Sequence, residues 1–287
     1  MGAAVVVLAG GSVMLAGGPA SAAPAHSAPA PGVFLPARAP VGAPTGKVGN
    51  VTKTYSENWS GYAQVVTTST GPYTAVKDYW TVPTVNTTQS GDQYSSDWVG
   101  IDGFSNSDLV QCGTEADNID GTAQYDAWTE ILPASEVVLT NLAIHPGDHM
   151  EAVVKETKAD VWKMTVYDLT TGDSGSKTVT YNSSDGGPAA QTSVEAVHER
   201  PEVNGSLAAL TTTTNVTFDP GSWSNSAPGS TTTYYHLMHP ASGATVYRMY
   251  MVNNADTAVI ATPSYVDSDN DGFTVADGAT APPPPSS

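Results

Sequence analysis

Apolar and polar residues alternate along most of the chain between residues 50 and 278. The runs Trp162-Lys163-Met164-Thr165-Val166-Tyr167 and Val246-Tyr247-Arg248-Met249-Tyr250-Met251 have period two, the spacing at which strand side chains point to opposite faces. Turn signals punctuate the pattern, among them Pro146-Gly147-Asp148, Thr171-Gly172-Asp173 and Asp185-Gly186-Gly187. No stretch carries the spacing of an amphipathic helix, and no internal repeat stands out. Many short strands with regular turns predict an all-β chain with almost no helix, an antiparallel sandwich or barrel.

The two ends read differently. Residues 3–16 are apolar but too few to span a bilayer, and Ala20-Ser21-Ala22 follows as a small-x-small cleavage pattern. Residues 1–22 therefore read as a signal peptide. No basic residue precedes the apolar run, which departs from an ordinary signal and points to a start inside a longer leader. Residues 23–50 are rich in Ala and Pro; Pro24, Pro29, Pro31, Pro36, Pro40 and Pro44 oppose regular structure. This stretch reads as a pro-segment or a linker. Residues 51–278 are the expected folded domain, and 279–287 a Pro-rich disordered tail.

Charge narrows the functional classes. The 287 residues hold 10 Lys+Arg against 28 Asp+Glu, a net charge of −18. That balance argues against nucleic acid and anionic membrane surfaces, which both attract basic patches. With so few basic groups, little repulsion builds up when carboxylates protonate, so the fold is expected to tolerate acid. Cys112 is the one cysteine, so no intrachain disulfide forms and stability rests on the core.

Read as strands, four segments sort their side chains by face. Trp98, Gly100 and Asp102 share one face, opposite Val99 and Ile101. Leu109, Gln111 and Gly113 oppose Val110 and Cys112. Asp126, Trp128 and Glu130 oppose Ala127, Thr129 and Ile131. Glu195, Val197 and Glu199 oppose Val194, Ala196 and His198. The apolar sets suit a sandwich core; His198 does not fit there. The acids, the amide and the tryptophans are then exposed on one concave surface, which suits a ligand groove.

These residues resemble the glutamic peptidases, or eqolisins. The matching pieces are Asn58-Trp59-Ser60-Gly61-Tyr62, Tyr79-Trp80-Thr81-Val82-Pro83, Trp98-Val99-Gly100-Ile101-Asp102-Gly103, Gln111-Cys112-Gly113, Tyr125-Asp126-Ala127-Trp128-Thr129-Glu130 and Glu195-Ala196-Val197-His198-Glu199. The resemblance implies a concanavalin- or lectin-like sandwich of two curved antiparallel sheets of about seven strands each. It implies a secreted acid endopeptidase with a glutamine and a glutamate as catalytic pair: Gln111 and Glu199, with Glu195 the fallback acid. Trp98, Asp102, Trp128 and Glu130 support the site or line the groove. Fungal members carry aspartate four residues after the glutamine; Glu115 stands there here. A carboxylate that takes and returns a proton, beside a carboxamide that steadies an oxyanion, needs neither metal nor cofactor. The expected partners are polypeptide substrates alone, with no nucleic acid, no membrane after signal removal and no second copy of the chain.

Rival readings are a non-catalytic sandwich that binds carbohydrate or peptide, and a glycoside hydrolase pairing Glu199 with Glu130 or Asp102. Only the peptidase requires Gln111. Asp173-Ser174-Gly175 is half of a pepsin-type site and better read as a hairpin turn. Cys112 lacks a Cys/His/Asn arrangement and is expected to pack inward. His145 and His149 flank Pro146-Gly147 and so are not a helical metal pair; His236 and His239 lie beside a Tyr-rich strand and Pro240 and are read as structural. Asp267-Ser268-Asp269-Asn270-Asp271-Gly272 opens like a calcium loop, but its twelfth place is Gly278, so a turn is the expectation.

Overall fold

Alternation in the sequence becomes alternation in burial. In Val161–Asp168, Trp162, Met164 and Val166 are buried while Lys163 and Tyr167 face solvent. The computed structural model describes residues 30–68, 71–181 and 189–287, so the expected signal peptide lies outside it. Among the described residues there are strands and turns but no helix.

The strands form two stacked layers, each with seven principal strands among the described residues. The first layer runs, in spatial order, Val51–Ser56, Thr245–Val252, Trp59–Val65, Ser193–Glu199, Ser96–Ile101, Val110–Ile119 and Thr122–Ile131. The second runs Val259–Pro263, Phe273–Asp277, Val216–Phe218, Ala75–Thr81, His149–Lys158, Val161–Asp168 and Asp173–Thr180. The last two residues of Thr245–Val252 also pair with Val259–Pro263, which joins the layers there. The expected antiparallel sandwich is present, with one parallel pair. Thr245–Val252 inserts between Val51–Ser56 and Trp59–Val65, and strands that flank a common neighbour and run in opposite directions cannot both oppose it.

Val99, Ile101, Val110, Cys112, Ala127, Val194 and Ala196 meet Val76, Trp80, Met150, Val154, Met164 and Val166 in the core between the layers. Cys112 packs inward as expected, and burial pushes its thiol up to about 12, away from thiolate chemistry. His198 also faces inward, and Asp97 explains how: the two are cross-strand neighbours, and His198 Nδ1 lies 2.8 Å from Asp97 Oδ1. Burial alone would lower the imidazole pKa, but the charge and hydrogen bond of Asp97 outweigh it and the net shift is upward.

The other face of the first layer is also covered. Trp59, Trp98, Leu109, Trp128, Val197 and Met249 form a second cluster, closed by Phe34. Phe34 stacks on Phe104 at 4.5 Å and meets Trp59 edge-on. Apart from exposed Asp126, the polar and aromatic face is therefore buried, not exposed as the alternation implied, and residues 30–37 lie across it. Residues 279–287 form no strand; Ser268 N donates to Ser287 Oγ.

Gly113 sits opposite Trp98 in the ladder, and a Cβ there would fall 2.1 Å from the Asp97 carbonyl oxygen and 2.5 Å from Trp98 Cβ. Gly113→Ala must push the two strands apart. We expect it to destabilise the fold by about 1–3 kcal/mol in urea unfolding, the range for overpacking; an unchanged midpoint would show that the ladder yields freely.

Candidate active site

Ladder register arranges the candidate residues in rows across Ser193–Glu199, Ser96–Ile101, Val110–Ile119 and Thr122–Ile131. Glu195, Gly100, Gln111 and Glu130 form one row; Val197, Trp98, Gly113 and Trp128 the next; Glu199, Ser96, Glu115 and Asp126 the third. All point to the face covered by residues 30–37. Gly100 and Gly113 leave room for the indole of Trp98: a Cβ on Gly100 would lie 2.7 Å from Trp98 Cζ3.

Gln111 is fully buried. Its Nε2 donates to Glu130 Oε2 at 2.7 Å, and its Oε1 has no partner. An amide nitrogen carries two N–H groups, so one donor and one acceptor of Gln111 remain uncommitted. Burial pushes Glu130 up to about 8; the bond from Gln111 works against that, and the charge of Glu199 adds to it.

Glu199 is gripped from both sides. Its Oε1 accepts from Asn58 Nδ2 at 2.9 Å and from Gly32 N at 3.0 Å, and its Oε2 accepts from Trp98 Nε1 at 2.8 Å. Burial pushes its pKa up to about 8 against the pull of these donors. Among the described residues no hydrogen bond joins Glu199 to Gln111. The structure gives two half-sites, Gln111 with Glu130 and Glu199 with Asn58 and Trp98, on either side of the row that holds Trp98 and Gly113.

Glu195, the fallback acid, shares a row with Gln111. Burial raises its pKa well above the usual carboxylate range and outweighs the Ser193 hydroxyl beside its carboxylate, which lowers it. Beside Gly100 it is crowded by Trp98 and Leu109, and no hydrogen bond links it to residues 30–37.

Asp102 departs from its expected groove position. Its φ of +75° breaks the strand alternation. Its carboxylate turns to the backbone, accepting from Gln191 N at 2.6 Å and Thr192 N at 2.8 Å, and Asn106 Nδ2 donates to it at 2.9 Å. Asp102 positions the segment that leads into Ser193–Glu199. Glu115 belongs to an acidic group with Asp117, Asp126 and Glu136. Burial raises Glu115 well above the usual range, and the Glu136, Asp117 and Asp126 charges raise it further. Burial also takes Glu136 to about 8. Trp128 is fully buried in the aromatic floor, its Nε1 without an acceptor.

Sequence reasoning missed the covering segment. Trp59 Nε1 donates to the Gly32 carbonyl at 2.9 Å, Phe34 N to the Gly103 carbonyl at 3.0 Å, and Leu35 N to Asn58 Oδ1 at 2.9 Å. Single antiparallel bridges tie Ala30 to Glu202 and Pro36 to Ser56. A cleft of ≈ 260 Å³ continues beside the segment, bordered by Asn58, Leu132 and Glu202. Phe34 and Leu35 were the available signal: two large apolar residues inside an Ala/Pro stretch.

Residues 57–275 match the peptidase A4 family. Aspergillopepsin-2 of Aspergillus niger is 32% identical over 189 residues, 59% of this chain and 65% of the relative, so the match spans just under two thirds of that protein. A scytalido-glutamic peptidase crystallised with a transition state analog inhibitor superposes with a TM-score of 0.61 at 22% identity, covering 77% of this chain and 98% of the other. Aspergilloglutamic peptidase from Aspergillus niger gives a TM-score of 0.53 at 27% identity, covering 64% of this chain and 99% of its own.

The raised carboxyl groups set the sign of the pH dependence. Glu130, Glu136 and Glu199 bind protons more tightly folded than unfolded, so their contribution is full below the ordinary carboxylate pKa and is lost as pH rises toward about 8. We expect a higher Tm at pH 4 than at pH 8 in calorimetry; a Tm that climbs with pH across that window would contradict the assignment.

Proposed function

Because the chain belongs to the peptidase A4 family, we propose that it is an exported acid endopeptidase of the glutamic type, with Gln111 and Glu199 as its catalytic pair. The observation that carries this reading is Glu199: a carboxylate held by an indole and a carboxamide accepts a backbone N–H from a chain segment lying in the groove. A peptide substrate presents the same backbone groups to the same acceptor. Glu195 offers no comparable contact, which favours Glu199 as the reacting acid.

The chemistry follows from the two half-sites. Once residues 30–37 leave, water replaces the burial that raises Glu199, while Trp98 and Asn58 continue to steady its charged form. A scissile carbonyl lies over the Trp98 and Gly113 row, between the half-sites. Glu199 takes a proton from a water whose oxygen bonds to the carbonyl carbon, and the free N–H of Gln111 meets the developing oxyanion. Glu130 fixes the amide plane of Gln111. As the C–N bond breaks, Glu199 passes its proton to the departing amine.

Residues 23–50 act as a pro-segment in this reading, with 30–37 as the strap that keeps the site shut. The strap uses Glu199, Trp59 and Asn58, groups a substrate needs. The substrates are polypeptides, and the single chain is the working unit.

With an acid-denatured protein as substrate at acidic pH, Gln111→Ala should lower kcat/KM by ~10²–10³-fold, the usual loss for one oxyanion donor, and Glu199→Gln by more. Glu195→Gln should keep most activity. A Glu199→Gln enzyme as fast as wild type would end the assignment. A chain trimmed to begin at residue 38 should hydrolyse substrate from the moment of mixing, whereas one beginning at residue 23 should show a lag that Phe34→Ala shortens; equal initial rates would remove the strap from the reading.

A further inference from the structure

Away from the groove, two loops of the second layer bring three carboxylates together. Asp219 directly follows Val216–Phe218, and Asp267 and Asp271 lie in the loop that leads into Phe273–Asp277. These two strands are paired, and Gly221 N donates to the Asp271 carbonyl at 2.8 Å, so the loops are held against each other. One carboxylate oxygen from each of Asp219, Asp267 and Asp271 lies within 4.8 Å of the others. Oxygens bound to a common Ca²⁺ at about 2.4 Å have that spread.

Proximity of acids is not itself a site; the unpaired oxygens are the second observation. Asp267 is 7% exposed and Asp271 6%, yet Asp267 Oδ2 and Asp271 Oδ1 are buried without a hydrogen-bond partner. A Cβ on Gly272 would lie 2.3 Å from Asp267 Oδ2 and 2.9 Å from Asp219 Oδ1, so the free oxygen of Asp267 is turned toward Asp219. Asp78 is wholly buried beside Gly221 and carries another oxygen without a donor. Half-exposed His236 places its Nδ1 2.7 Å from Asp271 Oδ2, which leaves Oδ1 free. Among the described residues no Lys or Arg forms an ion pair with Asp219, Asp267 or Asp271. Buried carboxylate oxygens without a donor are costly unless a cation meets them.

We propose that Asp219, Asp267 and Asp271 form a calcium site that clamps the two loops together. The donor set is all carboxylate, which suits a hard cation and not Zn²⁺, and water or backbone oxygens would complete the shell. A cleft of ≈ 280 Å³ lined by Gly221, His236 and Asp271 opens beside it, a path for the ion. The loop sequence alone hid the site because counting twelve places from Asp267 looks for a glutamate, while the further ligand comes from Asp219, far upstream in the chain. The clamp lies outside the catalytic groove and stands or falls independently of the peptidase assignment.

The test uses the full chain, stripped with chelator at neutral pH, with Tm followed by calorimetry while CaCl₂ or MgCl₂ is added. Calcium should raise Tm by several degrees in a saturable way, and magnesium by much less. Asp219→Asn and Asp267→Asn should lose the calcium response while melting, in chelator, no lower than stripped wild type, because each removes a repelling charge. A wild-type Tm indifferent to calcium would overturn the proposal. So would an equal calcium response in the Asp219→Asn/Asp267→Asn double variant, which would place the ion elsewhere.

Discussion

The register of the ladder from Ser193–Glu199 through Ser96–Ile101 to Val110–Ile119 is the constraint on which the site depends. A strand alternates its faces with period two, so a slip of one residue would carry Glu199 and Gln111 into the core and bring His198 and Cys112 out. Apolar residues on the core side hold the register, with the buried pair of His198 and Asp97 matched across the same ladder. Gly100 and Gly113 then make a bay for a large indole between the two half-sites. Trp98 both spaces the half-sites and donates to one of them. The positions of Gln111, Glu130 and Glu199 follow from strand pairing, and loop residues such as Asn58 and Gly32 complete their contacts.

Few cations stand among many acids, and that shapes the molecule's electrostatics. Buried Glu115, Asp117, Glu130, Glu195 and Glu199 all have carboxyls raised by burial, so the interior favours protons. A neutral carboxyl costs far less to bury than a charged one. The same composition that makes the chain strongly acidic thus suits a medium in which those groups are uncharged.

Much of this was legible in the chain. Period-two alternation places Val99, Val110, Ala127 and Val194 in the core and Gln111, Trp98 and Glu199 on the opposite face, and the structure agrees. Three features were not legible, each for a physical reason. Asp102 leaves its strand through a positive φ, which alternation cannot foresee. His198 needed a partner on another strand, and Asp97 becomes its neighbour only once register is known. The covering of the groove depends on a Pro-rich stretch whose order comes from Trp59, Asn58 and Glu199 and not from its own propensity.

The insertion of Thr245–Val252 beside Trp59–Val65 has a consequence for biosynthesis. Trp59 meets Trp98 edge-on at the heart of the groove, yet its strand gains its second neighbour only from residues near the far end of the chain. A ribosome must make some two hundred further residues before that gap is filled, and contacts so distant in sequence form slowly. A nascent or truncated polypeptide that stops short of Thr245–Val252 therefore lacks one wall of the cleft, and the groove is completed only when synthesis is nearly done.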